Sequence, residues 1–314
     1  MTIRVNLSAG FGQTEGSGTR WLQLARDAES IGYEHLQVAD HLTVGGSGAF
    51  TAMASAASVT ERLRVGSYVL NNDFRHPVAV AHEFGALADL SGGRATLGLG
   101  AGHMKSEYDE AGIPFDPAGV RVARMAESAE VMQRLLAGET VTYSGSYYDV
   151  TGHMIRDAGA APVRLLIGGN GTSVLRTAGR LADVVGFTGF TPSVDGSSSN
   201  ITHFTDAGLA ERIAVVSAAA RDRWPLPIDV LVQMVVITDR ADVATDGIAT
   251  RLNISIDSVR SSPFVLIGSV ASIVEKLRDL NERLGVTSVT VFANRPNSDQ
   301  TERTLAPVIE ALGQ

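Results

Sequence analysis

The stretch LSGGRATLGLGAGHMKSEY runs from Leu90 to Tyr108 and holds five glycines, at 92, 93, 98, 100 and 102. Residues 94–100 read as a buried strand that ends in a glycine turn. A dinucleotide fingerprint, G-x-G-x-x-G, would sit there and open a helix at once, with the helix N-terminus on a pyrophosphate. The spacing does not fit. Counting from Gly98, His103 stands where the third glycine belongs; counting from Gly100, Lys105 does. The chain continues through HMKSEYDEAGIPFDPAG, which reads as a long polar loop with prolines at 114 and 117. The strand therefore ends in a site-bearing loop of another architecture.

Outward from that strand, short apolar runs alternate with amphipathic segments. IRVNLS (3–8), HLQVA (35–39), LRVGSYVL (63–70) and RATLGLG (94–100) recur at about 30 residues, the length of a βα unit. Trp21, Leu22, Leu24, Ala25, Ala28 and Ile31 follow helical spacing, and 49–59 reads as the next helix. LRVGSYVL lacks alternation, as in a strand buried on both faces. Pro77 sits in the first turn of a helix that reaches Leu90, where a proline is tolerated. Then follow a helix over 119–137, a hairpin over 141–152, VRLLIGG (163–169), a helix over 172–181 and DVVGFTG (183–189). A Ser/Gly/Asn-rich loop over 191–206, a helix over 207–222, IDVLVQMVVIT (228–238), two helical segments and VTSVTVF (286–292) complete the chain. Ile273, Leu277, Leu280 and Leu284 form the apolar face before the last strand. Eight strands in βα alternation predict an α/β chain closed as a (β/α)8 TIM barrel, with an open doubly wound sheet as the alternative.

The 314 residues are 44% hydrophobic and 19% charged, an ordinary globular composition. A formal net charge of −8 and a pI near 5.4 argue against a nucleic-acid partner. The absence of cysteine excludes disulfides, thiolate nucleophiles and cysteine metal sites. No apolar run approaches the ~20 residues that span a bilayer. No signal peptide is visible, so the expectation is a cytoplasmic protein with no membrane partner.

A barrel places its chemistry at the C-terminal ends of its strands. That rule selects residues 8–12, 40–41, 70–73, 100–105, 168–171, 187–189 and 292–295. His41 there is a candidate to shuttle a proton, with Asp40 fixing its orientation or capping the next helix. A satisfied loop histidine is the plainer reading. His103 closes the glycine turn as a candidate general acid, or is an exposed loop residue. In LLIGGNGTSVLRTAGR (165–180), Gly168, Gly169, Asn170 and Gly171 lead from a strand into a helix. Free N–H groups and the helix dipole favour a phosphate there, with Thr172 or Ser173 adding a hydroxyl. A plain glycine-rich turn is the alternative. Glu107, Asp109, Glu110 and Asp116 read as a solvated face. His35, His41, His76, His82 and His103 show no metal-type spacing, and no metal is expected. Phe11, Phe50, Tyr68, Phe187 and Phe190 suggest a partly apolar small-molecule substrate.

ADH (39–41), VGSYVLNNDFRHP (65–77), LADLSGGRATLGLGAGHMKSEYDEAGIPF (87–115), LLIGGNG (165–171) and AGRLADVVGFTG (178–189) together resemble the bacterial-luciferase-like superfamily. Within it they are most similar to the coenzyme F420-dependent oxidoreductases. The resemblance implies one TIM-barrel domain over 1–314 with insertions near 103–118, 141–152 and 191–206. It implies F420, or alternatively FMN, with its ring system in the barrel mouth. A non-prolyl cis peptide would follow the third strand at Tyr68–Val69 and, with Leu70, push a bulge against the ring. Asp40 and His41 would lie beside the ring, as would the stretch Gly100, Ala101, Gly102 to Ser106. The phosphate would sit on Gly169, Asn170 and Gly171, near Thr188 and Gly189. Some sugar-phosphate-oxidising relatives carry a glutamate acid where His103 stands and a tryptophan where Val44 stands. Sugar-phosphate oxidation is therefore not expected. The implied reaction is hydride transfer between the deazaflavin and a small organic substrate, with His41 or His103 handling the proton. An FMN-dependent monooxygenase and a non-catalytic flavin-binding protein are the alternatives. A homodimer is expected.

Overall fold

The computed structural model describes residues 3–10, 16–42, 48–193, 199–293 and 301–313. Eight parallel strands close on themselves: β1 (Arg4–Ser8), β2 (His35–Val38), β3 (Arg64–Ser67), β4 (Ala95–Gly100), β5 (Arg164–Gly168), β6 (Val184–Thr188), β7 (Ile228–Val232) and β8 (Val286–Phe292). Each pairs with the next in chain order. β8 returns to β1 with Arg4 opposite Ser288 and Ser8 opposite Phe292. The ring of helices outside completes a (β/α)8 barrel. Among the described residues no helix is long and apolar enough to cross a membrane.

Helix Val270–Leu284 shows how the sequence builds that outer ring. Ser269 caps it, its Oγ accepting from Ser272 N–H at 3.2 Å, and Gly285 ends it at φ 68°. Ile273, Val274, Leu277 and Leu280 are buried on one stripe. Each such side chain contributes about 1.5–3 kcal/mol of burial.

Several segments depart from the sequence reading. LRVGSYVL is two pieces, β3 and Leu70–Asn71, with a cis peptide at Tyr68–Val69 between them. The run 228–238 also splits: Met234–Ile237 leaves the barrel and pairs in parallel with Val265–Gly268, a strand not expected. HMKSEYDEAG is not a loop, because Lys105–Ala111 is helical and Gly112 caps it at φ 68°. Three helices, not two, lie between residues 238 and 286, and Ala306–Leu312 adds a last one. The hairpin is present as Val141–Ser144 with Asp149–His153. Within 191–206 a short antiparallel pair, Phe190–Pro192 with Ser199–Ile201, replaces part of the expected loop. Residues 194–198 lie outside the described residues.

The barrel interior is polar where most such barrels carry branched apolar side chains. Asn6 donates from β1 to Asp229 of β7 at 2.8 Å, across the intervening β8. Thr290 bonds both Asp229 and Gln37, at 2.8 and 3.0 Å. His35 meets Asn6 Oδ1 through Nδ1 at 3.0 Å, while Arg64 Nε–H donates to its Nε2 at 3.2 Å. These contacts assign the proton to Nδ1 and a lone pair to Nε2. Valine and leucine point the other way: Val5, Leu7, Val289 and Val291 are buried beneath the helices.

His35 is buried and faces Arg64, Arg164 and Arg4, so desolvation first and these cations second lower its pKa to about 3. Between the ordinary histidine value of 6.5 and about 3, the unfolded chain binds more protons than the folded one. Stability therefore falls on acidification across that window. At pH 5 the expected loss from this group is about 2 kcal/mol relative to pH 7. Urea unfolding at both pH values, in the parent protein and in His35→Gln, measures it. An equal pH dependence in the two proteins would remove His35 as the cause.

Candidate active site

The bulge of residues 67–69 crosses the barrel at the C-terminal ends of β4 and β5. A methyl group added at Gly100 would lie 2.6 Å from Val69 Cγ2, and one at Gly168 would lie 3.2 Å from Val69 Cγ1. The glycines thus make room for the chain's own valine. Val69 and Tyr68 are half-buried, and the Tyr68 hydroxyl reaches down to Asp229 at 2.8 Å. Leu70, in contrast, is buried in the core.

Asp40 lies two residues beyond β2 and is buried. Its oxygens accept from Arg75 Nη1 and Nη2 at 2.6 and 3.0 Å and from Asn71 N–H at 3.1 Å. It ties β2 to the segment after the bulge and does not orient His41. Glu107 does that. His41 Nδ1 lies 3.0 Å from Glu107 Oε1, which also accepts from Leu42 N–H at 2.8 Å. Glu107 is 2% exposed, so it belongs to the site and not to a solvated face. A seven-residue helix has no apolar stripe, so its inward carboxylate had no periodic signature. The cap at Gly112 was the one available sign of a helix.

His103 faces His41, with ring centroids 6.0 Å apart and an interplanar angle of 84°. His103 is exposed to solvent at the mouth, as the plainer reading of it expected. Desolvation lowers its pKa, and His41 and Arg121 push the same way while Glu107 opposes. With Nδ1 of His41 committed to Glu107, Nε2 is the atom left for a ligand. The pair is suited to hold one proton and to move it.

Gly102 does not clear space for a ligand. At φ 75° its missing Cβ would lie 1.9 Å from Tyr108 Oη and 2.5 Å from Asn71 Oδ1. Tyr108 donates toward Asn71 and Asp73 at 2.9 and 3.0 Å, and Arg124 clasps Asp73 at 2.8 and 3.1 Å. This clamp fixes the Lys105–Ala111 helix, and with it Glu107, over the mouth. Ala101 packs half-buried against the core, and Ser106 is exposed on that helix.

The turn after β5 is open at Gly171, where an added Cβ would touch nothing within 4 Å. Gly171 precedes helix Thr172–Leu181, whose first N–H groups have no side-chain cap. Gly169 packs on Val174. Asn170 spends its side chain on structure: it donates to Phe190 O at 2.8 Å and accepts from Arg212. Arg212 is buried, bonds Thr188 O at 3.0 Å and lies beside Phe187 and Phe264. Burial lowers its pKa to about 10, so it stays cationic at neutral pH. Thr188 Oγ1 is engaged by Gln233 Nε2 at 3.1 Å.

Gly189 is a packing position, since a Cβ there would meet Phe204 and Phe264 at 2.7 and 2.8 Å. Phe187 is buried in the same cluster and does not line the mouth. Phe50 packs on Phe84. Phe11, Val44 and Arg295 lie outside the described residues.

Barrel, bulge and paired imidazoles define a (β/α)8 protein with a one-ended, histidine-bearing cup. Residues 1–255 match the luciferase-like monooxygenase family, and the chain belongs to it. It is 35% identical over 219 residues to an F420-dependent glucose-6-phosphate dehydrogenase of Beutenbergia cavernae, a match spanning 68% of this chain and 62% of that one. The F420-dependent tetrahydromethanopterin reductase of Methanopyrus kandleri superposes with a TM-score of 0.75 at 19% identity, covering 98% of this chain and 97% of that one. The monooxygenase RslO1 of Streptomyces bottropensis superposes equally well, at 0.75 and 19%, covering 98% of each. The shared barrel therefore does not by itself separate reductases from monooxygenases.

Proposed function

We propose that the protein is an F420-dependent oxidoreductase that passes hydride between the deazaflavin and a small organic substrate. The observation that carries this is the Glu107–His41–His103 constellation, set at the mouth beside the Tyr68–Val69 bulge. The relatives named for F420 support the choice of cofactor.

The residues present fit the group. Val69, Tyr68 and Ala101 offer a half-buried, largely apolar seat for a flat ring. The uncapped N-terminus at Gly171–Ser173 offers N–H donors to a phosphate, and the Arg212 cation behind Asn170 adds a favourable field. When bound, the deazaflavin supplies or takes the hydride. The chain does the rest. Glu107 fixes the His41 ring through Nδ1 and so aims Nε2 at the mouth to give the proton. His103, its pKa lowered, stands neutral at pH 7 as the second proton site. The buried clamp from Tyr108 to Arg124 keeps the helix that carries Glu107 in place.

An imidazole where sugar-phosphate oxidisers carry a carboxyl points to a substrate other than a sugar phosphate. The partners on this reading are the cofactor and a small molecule, in a cytoplasmic homodimer. Titrating the protein with F420 and with FMN, followed by absorbance, tests the cofactor. F420 is expected to bind at least tenfold more tightly. Tighter FMN binding with oxygen consumption would replace this reading with the monooxygenase. Glucose 6-phosphate belongs beside enones and imines in the turnover panel, and its oxidation would overturn the substrate reading.

A further inference from the structure

Asp229 stands in β7 with no surface open to solvent. Four donors reach its two oxygens: Asn6 Nδ2 at 2.8 Å, Ser288 Oγ at 2.6 Å, Thr290 Oγ1 at 2.8 Å and Tyr68 Oη at 2.8 Å. Among the described residues no lysine or arginine pairs with it. Desolvation raises its pKa and these hydrogen bonds oppose that. A carboxylate that only accepts needs such a ring of donors in a dry interior.

Three of the donors come from β1 and β8, on Asp229's own side of the barrel. The fourth comes from the far side, because Tyr68 follows β3, directly opposite β7 in the ring of eight. Its hydroxyl passes Gly186, where an added Cβ would come within 3.2 Å of it. The backbone around Tyr68 is held at each end. Ser67 Oγ bonds Gly98 O and N at 2.8 and 2.9 Å, Tyr68 N–H reaches Val38 O at 2.8 Å, and Asn71 N–H reaches Asp40. The Tyr68 side chain is the stay that fixes the middle of the bulge from below.

We propose that Asp229 is a positioning residue for the seat of the cofactor. By bonding Tyr68 across the barrel, it sets the height and tilt of Tyr68 and Val69, on which the ring would rest. This rests on the cofactor reading above. The sequence offered the clue in IDVLV: one acid in an apolar strand has to find its partners inside.

Two variants test it. Asp229→Asn keeps the volume but sets an amide donor against four donors. Tyr68→Phe removes only the last link and carries the test alone if the first variant does not fold. Amide hydrogen exchange on the free protein is expected to accelerate at least tenfold over residues 68–71, with β1 unchanged. Affinity for F420, or for FMN if that binds instead, is expected to drop about tenfold, with a changed visible circular dichroism of the bound ring. Unchanged exchange over 68–71, or acceleration spread evenly over the barrel, would overturn the role. So would unaltered affinity and spectrum in a protein that binds. If the parent protein binds neither cofactor while exchange still accelerates locally, the stay is upheld and the F420 reading falls.

Discussion

Replacing His41 with alanine is expected to lower F420-dependent turnover by about 10²–10⁴-fold while leaving cofactor affinity within a fewfold of the parent. The size follows from what is lost. His41 is the imidazole whose Nδ1 is fixed, at 3.0 Å from a buried carboxylate, and whose Nε2 has no hydrogen-bond partner among the described residues. Without it the developing anion must take its proton from water or from His103. His103 is seldom protonated at neutral pH, because desolvation and the neighbouring His41 lower its pKa. His103→Ala is therefore expected to cost less than His41→Ala, about tenfold. Rates for both variants, measured from pH 5 to 9, settle the assignment. A larger loss in His103→Ala would exchange the two roles, and equal small losses would remove both from proton transfer.

Gly98→Ala is expected to destabilise the fold by about 3 kcal/mol or more. The new methyl would lie 2.0 Å from the carbonyl oxygen of Ser67 and 2.9 Å from its carbon. Those are backbone atoms, and they cannot swing aside as a side-chain tip can. Ser67 is also tied to Gly98 by both hydrogen bonds of its hydroxyl. Relief would have to come from moving β3 or the bulge. Gly171→Ala is the control: nothing lies within 4 Å of its Cβ position, and its φ of −71° suits alanine. There the change is expected to stay within about 0.5 kcal/mol. Urea midpoints for the two variants make the comparison, and near-parent stability of Gly98→Ala would mean the bulge yields.

The barrel was legible in the sequence because its cadence is regular. Each of the eight strands stands where a run of Val, Leu or Ile marked it, since the outward face of every strand is packed under a helix. The inward face was legible in principle. Asn6 with Ser8, Gln37 with His35, and Thr290 with Ser288 recur at every second position, which is the mark of a face that meets polar partners, while Asp229 stands alone in its strand. Reading LRVGSYVL as one continuous strand hid the break at Tyr68–Val69. Residue type alone does not reveal that break.

The two candidate histidines follow from strand-end position. Glu107 does not, because its burial depends on a short helix held from outside by Tyr108, Asp73 and Arg124. The glycines taught the opposite lesson. The resemblance puts Gly100 and Gly102 beside the ring and Gly189 near the phosphate, but Val69, Tyr108 with Asn71, and two phenyl rings stand at their Cβ positions. A glycine reports that something comes close; it does not say whether that something is the protein itself.

The bulge also governs traffic. Below it, Tyr68, Asp229, Asn6, His35, Gln37 and Thr290 bond to one another across the barrel, so among the described residues packed side chains stand between the mouth and the far side. Arrivals and departures share a single door. Of two molecules meeting in such a cul-de-sac, the one seated deeper has to enter first and leave last.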